Sequence, residues 1–266
     1  MTPATALTIA GSDPGGGAGL QADLTTLAAL GVHGTSVVTV VTAQNTVGVQ
    51  GLHPLPVDVV DQQLRSVRSD LPPSAVKCGL LGTPDLVALV AEAVRDGLPP
   101  PVVDPVLVAT SGDGLTLGDV VAAYRDELLP RTLLLTPNTD EAVALLGGGL
   151  VATRADRRAA AGALLALGPS AVVITGGAAD GDCVDVYADA AGVTEHVIPA
   201  VDTRNDHGTG CTYSAAVTAH LARGATLPTA CASAQSFVRH QLEVSHGWRL
   251  GAGRGPVAHL IDQGAS

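Results

Sequence analysis

The residues best suited to chemistry lie in His207-Gly-Thr-Gly-Cys-Thr212, which runs directly into the apolar stretch Tyr213-Ser-Ala-Ala. Glycines at 208 and 210 allow backbone N–H groups to converge where a helix begins. The orphan amides and dipole of that end favour an anion, and such donors stabilise charge on a phosphoryl group in transit. The plainer alternative is a glycine-rich turn with Thr209 as the N-cap. Cys211 falls on the first turn of the same helix, where a thiol is expected to have a lowered pKa and could accept a proton or meet a carbonyl. Cys78, Cys183 and Cys231 read as small buried hydrophobes.

Other blocks could share that site. Gly11-Ser-Asp-Pro-Gly-Gly-Gly-Ala-Gly-Leu-Gln-Ala-Asp23 follows an apolar strand pattern. It lacks Gly-Lys-Ser/Thr, and the next strand ends in Gln44-Asn45 rather than an acidic ribose ligand, so both nucleotide-loop fingerprints fail. It reads as a backbone-lined pocket for a flat ring, or as a tight turn. Asp104-Pro-Val and Asn138-Thr-Asp-Glu141 each put an acid just past a strand, where carboxylates could organise Mg2+ through water beside ATP phosphates. On pattern alone, N-capping by Asn138 or Asp140 is the stronger reading. Gln44 offers the paired donor and acceptor that complement an aminopyrimidine edge, or is a turn residue. His33, His53, His196, His220, His240, His246 and His259 show no ligand spacing and read as structural or surface residues.

Positioning these groups requires strands that end where they begin. Apolar runs at Ala6–Ala10, Ser36–Val41, Ala75–Gly79, up to Val103, Thr132–Leu135 and Ala171–Ile174 read as strands, with a hairpin from Cys183 to Ile198. Between them lie helical patterns over Ala18–Leu30, Val57–Leu71, Pro84–Asp96, Leu117–Leu128, Thr139–Leu146 and Arg154–Leu167. Two more, Thr212–Arg223 and Thr226–Glu243, close the chain. Strands separated by helices pair in parallel, and runs without polar alternation are covered on both faces. The expectation is one doubly wound α/β domain over residues 1–266, with ligands beyond the carboxyl ends of the strands.

Composition narrows the partners. The chain has 266 residues, a net charge of −11 and its 14 Lys and Arg thinly spread, which argues against nucleic acid or an anionic membrane. Four cysteines without metal-ligand spacing suit a reducing compartment. The N-terminus lacks a basic segment and its apolar stretch is too short for a secretory signal. The uncharged span Leu24–Val57 is broken by Gly31, Gly34, Gln44, Asn45, Gly48 and Pro54, so it reads as buried core and not a membrane helix.

In order, ALTIAGSDPGGGAGLQAD, VVTAQNTVGVQ, VKCGLLG, VVDPVLVATSGD, LLTPNTDEA, ITGG, NDHGTGCTYSAA and GRGPVAH make the chain resemble, nearly end to end, the hydroxymethylpyrimidine/phosphomethylpyrimidine kinase family of thiamine biosynthesis. That family lies within the ribokinase-like superfamily. The resemblance implies a three-layer α/β/α fold with a mostly parallel sheet, ATP as donor, Mg2+ and a homodimer, while the cysteine usage above points to a cytoplasmic setting. It also implies two successive phosphorylations at one site, first of the alcohol and then of the monophosphate. On the matching positions it implies that Gln44 and Asp23 hold the pyrimidine, with Gly11, Leu80 and Val106 lining the pocket. It puts Asn138, Glu141, Thr175, Gly176 and Thr203 on the ATP side, and Asp104 and Glu141 at the metal. Gly208, Thr209 and Gly210 would form the anion hole, and Cys211 stands where sugar kinases carry an aspartate base.

The chain departs from the family pattern at three positions. Thr175 stands where many relatives have Lys, Leu80 replaces a frequent Met, and Asp206 replaces a common Thr, adding negative charge where phosphate approaches. The rival readings are a pyridoxal kinase, a dinucleotide-dependent oxidoreductase disfavoured by the missing ribose acid, and a pyrimidine-binding relative with little turnover.

Overall fold

The computed structural model describes residues 2–108, 114–176, 178–179 and 181–259, so positions 109–113 of the VVDPVLVATSGD block and Gly177 of ITGG lie outside the described residues. Among the described residues, ten strands form one sheet: β1 (Thr5–Ser12), β2 (His33–Asn45), β3 (Gly48–Pro54), β4 (Ala75–Cys78), β5 (Val102–Val103), β6 (Leu134–Leu135), β7 (Ala171–Ile174), β8 (Ala178–Ala179), β9 (Asp182–Asp189) and β10 (Gly192–Pro199). Their order is β10-β9-β7-β6-β5-β4-β1-β2-β3, with β8 pairing off β9. The central pairs from β2 through β7 are parallel, whereas β3, β9 and β10 run antiparallel to their neighbours. The helices are α1 (Gly19–Ala29), α2 (Val57–Asp70), α3 (Pro84–Arg95), α4 (Val120–Ala123), α5 (Thr139–Leu146), α6 (Arg154–Leu165), α7 (Thr209–Ala222) and α8 (Leu227–Ser245).

Successive strand side chains point to opposite faces, and here each face meets helices. Leu7 and Ile9 of β1 pack with Val60 of α2 and Leu86 of α3, while Ala6 packs with Leu27 of α1 and Ala219 of α7. In β7, Val172 and Ile174 join the cluster holding Ala142 of α5 and Ala160 of α6. Ala171 and Val173 meet Tyr213 of α7 and Ala230 of α8. This is why the strands show no polar alternation. Every residue of α7 from Cys211 to Ala219 is buried, as expected of a helix apolar nearly all round and rich in small side chains.

Two local expectations change. The stretch read as one helix over Leu117–Leu128 is the short α4 followed by a π-helical turn, Tyr124–Leu128, and a 3₁₀ turn, Leu129–Arg131. The strand read as Ser36–Val41 extends to His33–Asn45, because Gly48–Pro54 folds back as an antiparallel partner that the sequence reading did not contain. The chain leaves β1 for β2 on one side and later returns to β4 on the other side of β1. That reversal opens a crevice at the carboxyl ends of β1 and β4, the place where such sheets bind ligands.

Candidate active site

The crevice holds a cavity of about 220 Å³. Gly11 ends the buried part of β1, and a Cβ there would lie 3.0 Å from Leu80, so glycine keeps this wall open. Gln44, at the end of β2, lies at the far side. Its Oε1 accepts from the Thr42 hydroxyl at 3.3 Å, and its Nε2 is 3.5 Å from Nε2 of His207. Leu80, Val106 and Leu115 supply the apolar wall. Val106 adopts φ +43°, strained for a β-branched residue. The Tyr124 hydroxyl donates to the Pro105 carbonyl at 3.2 Å, and the Leu107 N–H donates to Glu141 at 3.2 Å, clamping the turn on both sides.

The opposite end of the cavity is the start of α7. Gly208 is its N-cap with φ +87°, and a Cβ there would overlap the Gly17 carbonyl oxygen. Only glycine lets the two loops approach this closely. The Thr212 N–H bonds the Gly208 carbonyl at 2.8 Å, and the Thr209 N–H bonds Asp206 at 3.2 Å. The Gly210 and Cys211 amides have no acceptor among the described residues, and both residues line the cavity. The glycine spacing thus leaves two amides without acceptors on residues that line the cavity.

The glycine-rich block is organised chiefly by Asp13. Its carboxylate accepts from the amides of Gly15 (2.8 Å), Gly17 (3.2 Å) and Ala18 (2.9 Å), and stands 2.9 Å from His207 Nε2. Burial works against that charge, but the His207 bond and the amides hold the Asp13 carboxyl below its ordinary range. An Asp followed by glycines two and four residues on is a turn signature, which could have singled out Asp13 from sequence. His207 opens the glycine motif read from the sequence, but its pairing with Asp13, 194 positions away, left no local signal.

Below the cavity, both oxygens of Asp23 take 2.8 Å bonds from Lys77 Nζ, and one also takes the Thr8 hydroxyl at 2.6 Å. Both side chains are essentially unexposed, at 0% and 1%. Asp23 is therefore absent from the cavity lining, where the resemblance put it against the ring. Its oxygens are occupied by Lys77, the single lysine of the chain. Burial raises the Asp23 carboxyl and opposes the Lys77 ammonium. Asp23 first, then Cys211 and Asp104, nevertheless hold Lys77 above its ordinary value, and the two short contacts mark an ion pair. A lone lysine inside the buried strand pattern around Val76 and Cys78 was the available signal.

Asp104, after β5, faces the cavity and accepts from Ser214 at 3.2 Å. Burial pushes its carboxyl up, with Lys77, Ser214 and Cys211 opposing. Asn138 and Glu141 form the reciprocal capping box of α5. Asn138 Oδ1 accepts the Glu141 N–H at 2.9 Å, and Glu141 Oε2 accepts the Asn138 N–H at 3.0 Å. Both residues line the cavity as well, so the capping pair sits on the cavity wall. Burial, then the Asp104 charge, raise the Glu141 carboxyl.

Cys211 corrects a second expectation. Its thiol is pushed up to about 12, mainly by burial, with Asp104 and Asp23 adding to the effect of burial and Lys77 opposing it. The helix terminus does not win, because the thiol is desolvated among carboxylates. A neutral thiol beside Asp104 is a donor and not a ready base.

A smaller cavity of about 100 Å³ adjoins the first at Thr175, Thr209 and Gly210, with Ile198, Val201, Val238 and Leu242 in its apolar wall. Gly176 lines only this second cavity, its N–H held by Asp185 at 2.9 Å. Thr203 lines neither. It lies on a separate surface groove and accepts the Asn205 N–H at 3.1 Å, apart from the other residues expected on the ATP side. Gly11, Gln44, Leu80, Val106, Asp104, Asn138, Glu141, Thr175 and the Gly208–Cys211 loop share the main cavity.

A profile of the phosphomethylpyrimidine kinase family matches residues 13–258. The chain belongs to that family. It is 48% identical over 261 residues to a hydroxymethylpyrimidine/phosphomethylpyrimidine kinase of Streptomyces coelicolor, covering 97% of this chain and 95% of the relative. Among solved structures, it is similar to the ADP complex of Bacillus subtilis pyridoxal kinase, with TM-score 0.88 and 35% identity over 97% of this chain and 98% of the other. It is also similar to the phosphomethylpyrimidine kinase of Clostridium difficile 630, with TM-score 0.78 and 34% identity over 89% and 98% of the two chains. The fold is thus ribokinase-like, and this member of the family is a kinase.

Proposed function

We propose that the chain transfers the γ-phosphoryl group of ATP to the hydroxymethyl group of 4-amino-5-hydroxymethyl-2-methylpyrimidine, and then a second phosphoryl group to the resulting monophosphate. The carrying observation is one cavity that joins Gln44 at one end to the unengaged amides of Gly210 and Cys211 at the other. Gln44 would hold the aminopyrimidine edge, with Gly11, Leu80 and Val106 against the ring faces. The nucleotide base would occupy the adjoining apolar cavity, with its phosphates passing Thr175 and Asn138 toward the α7 loop. The alcohol oxygen forms the new bond to phosphorus as the bond to ADP breaks, and its proton leaves late, to water or to a phosphate oxygen. Such transfers are largely dissociative, so placement and charge stabilisation outweigh base strength, which suits the neutral Cys211 thiol.

Mg2+ fits the donor set. Asp104 and Glu141 present hard oxygen atoms on the cavity wall, and magnesium is held by one or two carboxylates together with substrate phosphates. When bound it would neutralise charge on those phosphates.

We take residues 1–266 as one kinase domain. Four free cysteines suit a reducing cytoplasm, and among the described residues no helix is long and apolar enough to cross a membrane. A homodimer would cover the outer edge of β3 and the exposed Val41, Val57 and Val59, and sedimentation reads this directly.

A coupled ADP-release assay tests the activity, with hydroxymethylpyrimidine, its monophosphate and pyridoxal as acceptors in parallel. The pyridoxal arm is included because the pyridoxal kinase of Bacillus subtilis superposes so well. The expected order places hydroxymethylpyrimidine first. Faster turnover of pyridoxal would overturn the assignment.

A further inference from the structure

The main cavity has an unusual charge inventory for a site that takes a triphosphate. Asp13, Asp104, Glu141 and Asp206 line it, and no Lys or Arg is among its described lining residues. Each carboxylate has a neutralising neighbour, although Asp104 shares Lys77 with Asp23. Asp13 has His207 and three amides, Asp104 has Lys77 beneath it, and Glu141 has the amides of Asn138 and Leu107. Asp206 has Arg254: Nε donates to Oδ1 at 2.6 Å, and a second guanidinium N–H meets Oδ2. Asp206 is the acid nearest in sequence to the anion loop, since its own carbonyl accepts the Thr209 N–H at 3.2 Å and the Thr209 hydroxyl at 2.6 Å.

Arg254 is brought there by the segment that follows α8. The Asn205 side chain gathers the carbonyls of Ser245 (2.6 Å), His246 (3.3 Å) and Trp248 (3.1 Å). The chain then threads past the β2–β3 turn, where the Gly253 N–H donates to Thr46 Oγ1 at 3.2 Å. It runs beside the loop, with the His207 N–H on the Gly255 carbonyl and the Val257 N–H on the His207 carbonyl, both at 3.0 Å. A Cβ at position 255 would overlap Asn205 Oδ1, so this register tolerates only glycine there. The arginine is thus delivered by backbone pairing and does not itself hold the segment, and its side chain is 53% exposed.

We propose that Arg254 is a positioning residue for nucleotide binding. By clamping the Asp206 carboxylate in a two-point ion pair, it keeps that charge from opposing the phosphates that approach the Gly208–Cys211 amides. The inference rests on the phosphoryl-transfer reading above. Planar two-point pairing is a property of guanidinium and not of a point charge, and an uncompensated carboxylate beside a polyanion site repels it through the local field.

The test is a double-mutant cycle on the KM for MgATP. Arg254→Gln raises that KM about 10-fold with kcat changed less than about twofold, Asp206→Asn lowers it about threefold, and the double variant returns within about twofold of the parent. Half a molar salt shrinks the Arg254→Gln deficit by screening. An unchanged KM in Arg254→Gln overturns the proposal. So does a double variant as impaired as Arg254→Gln alone, because a loosened segment would not be rescued by neutralising Asp206. Should the parent turn over no pyrimidine, the same proteins are compared by calorimetric binding of MgADP. The same cycle then supports or overturns the inference while the failed turnover counts against the substrate assignment alone.

Discussion

Replacing Lys77 with Met removes the partner of an acid that has no access to water. Asp23 is 0% exposed and keeps only the 2.6 Å bond from Thr8 once both 2.8 Å contacts to Nζ are gone. Breaking a buried pair by deleting one member costs about 3–5 kcal/mol, because the survivor stays desolvated and uncompensated. Against a typical total of about 5–15 kcal/mol, that loss removes a large share of the stability. The partner variant Asp23→Asn in the Lys77→Met background keeps an acceptor for Thr8 and should recover most of the loss. Urea unfolding of the parent, the single and the double variant measures this. Burial opposes the Lys77 charge but Asp23 more than offsets it, so the folded value lies above the ordinary 10.5. The contribution is therefore fully present through neutral pH and lost only as pH rises beyond that value. A Lys77→Met protein within about 1 kcal/mol of the parent, or a double variant no better than the single, would refute the reasoning. So would an Asp23→Asn protein of parental stability that has lost pyrimidine binding, since that would return Asp23 to the ligand.

Cys211→Ser, which keeps a donor for Asp104, holds kcat within about 10-fold of the parent, whereas Cys211→Ala loses about 100-fold; steady-state kinetics separate the two, and equal losses would point to the thiolate. Gly208→Ala forces a residue with a Cβ into φ +87° against the Gly17 carbonyl; a loss of about 2 kcal/mol or more in unfolding free energy is expected, together with weaker MgATP binding. His259 bonds Thr212 of α7 at 2.8 Å, and burial followed by His207 pushes its value down to about 4. The stability this represents is present above about 6.5, the ordinary value, and drains away as pH falls toward 4; acid unfolding monitored by circular dichroism should show it, with a flatter profile in His259→Gln.

Much of the architecture is legible in the order of residues because strands buried on both faces must be apolar throughout and parallel pairing demands helical crossovers. The parallel strands β1, β4, β6 and β7 and all the long helices were readable on that ground. β3 was not, because Gly48–Pro54 carries two glycines and a proline and exists as a strand through its pairing with β2. The π-helical turn at Tyr124 was hidden for a related reason: it accompanies a buried hydroxyl that reaches Pro105, a contact far along the chain.

Sequence alone determined the chemistry available: the glycine spacing that frees the Gly210 and Cys211 amides, the amide of Gln44, the acids after β5 and β6, and the likeness to one kinase family. These are properties of residue type and local geometry, and they survive without knowledge of neighbours. Tertiary structure alone decided which groups carry charge and which face the ligand. It took Asp23 out of the cavity by pairing it with Lys77, raised Cys211 to about 12 instead of lowering it, and supplied Arg254 to Asp206. Burial and partner distance govern ionisation, and both are set by residues dozens to hundreds of positions away.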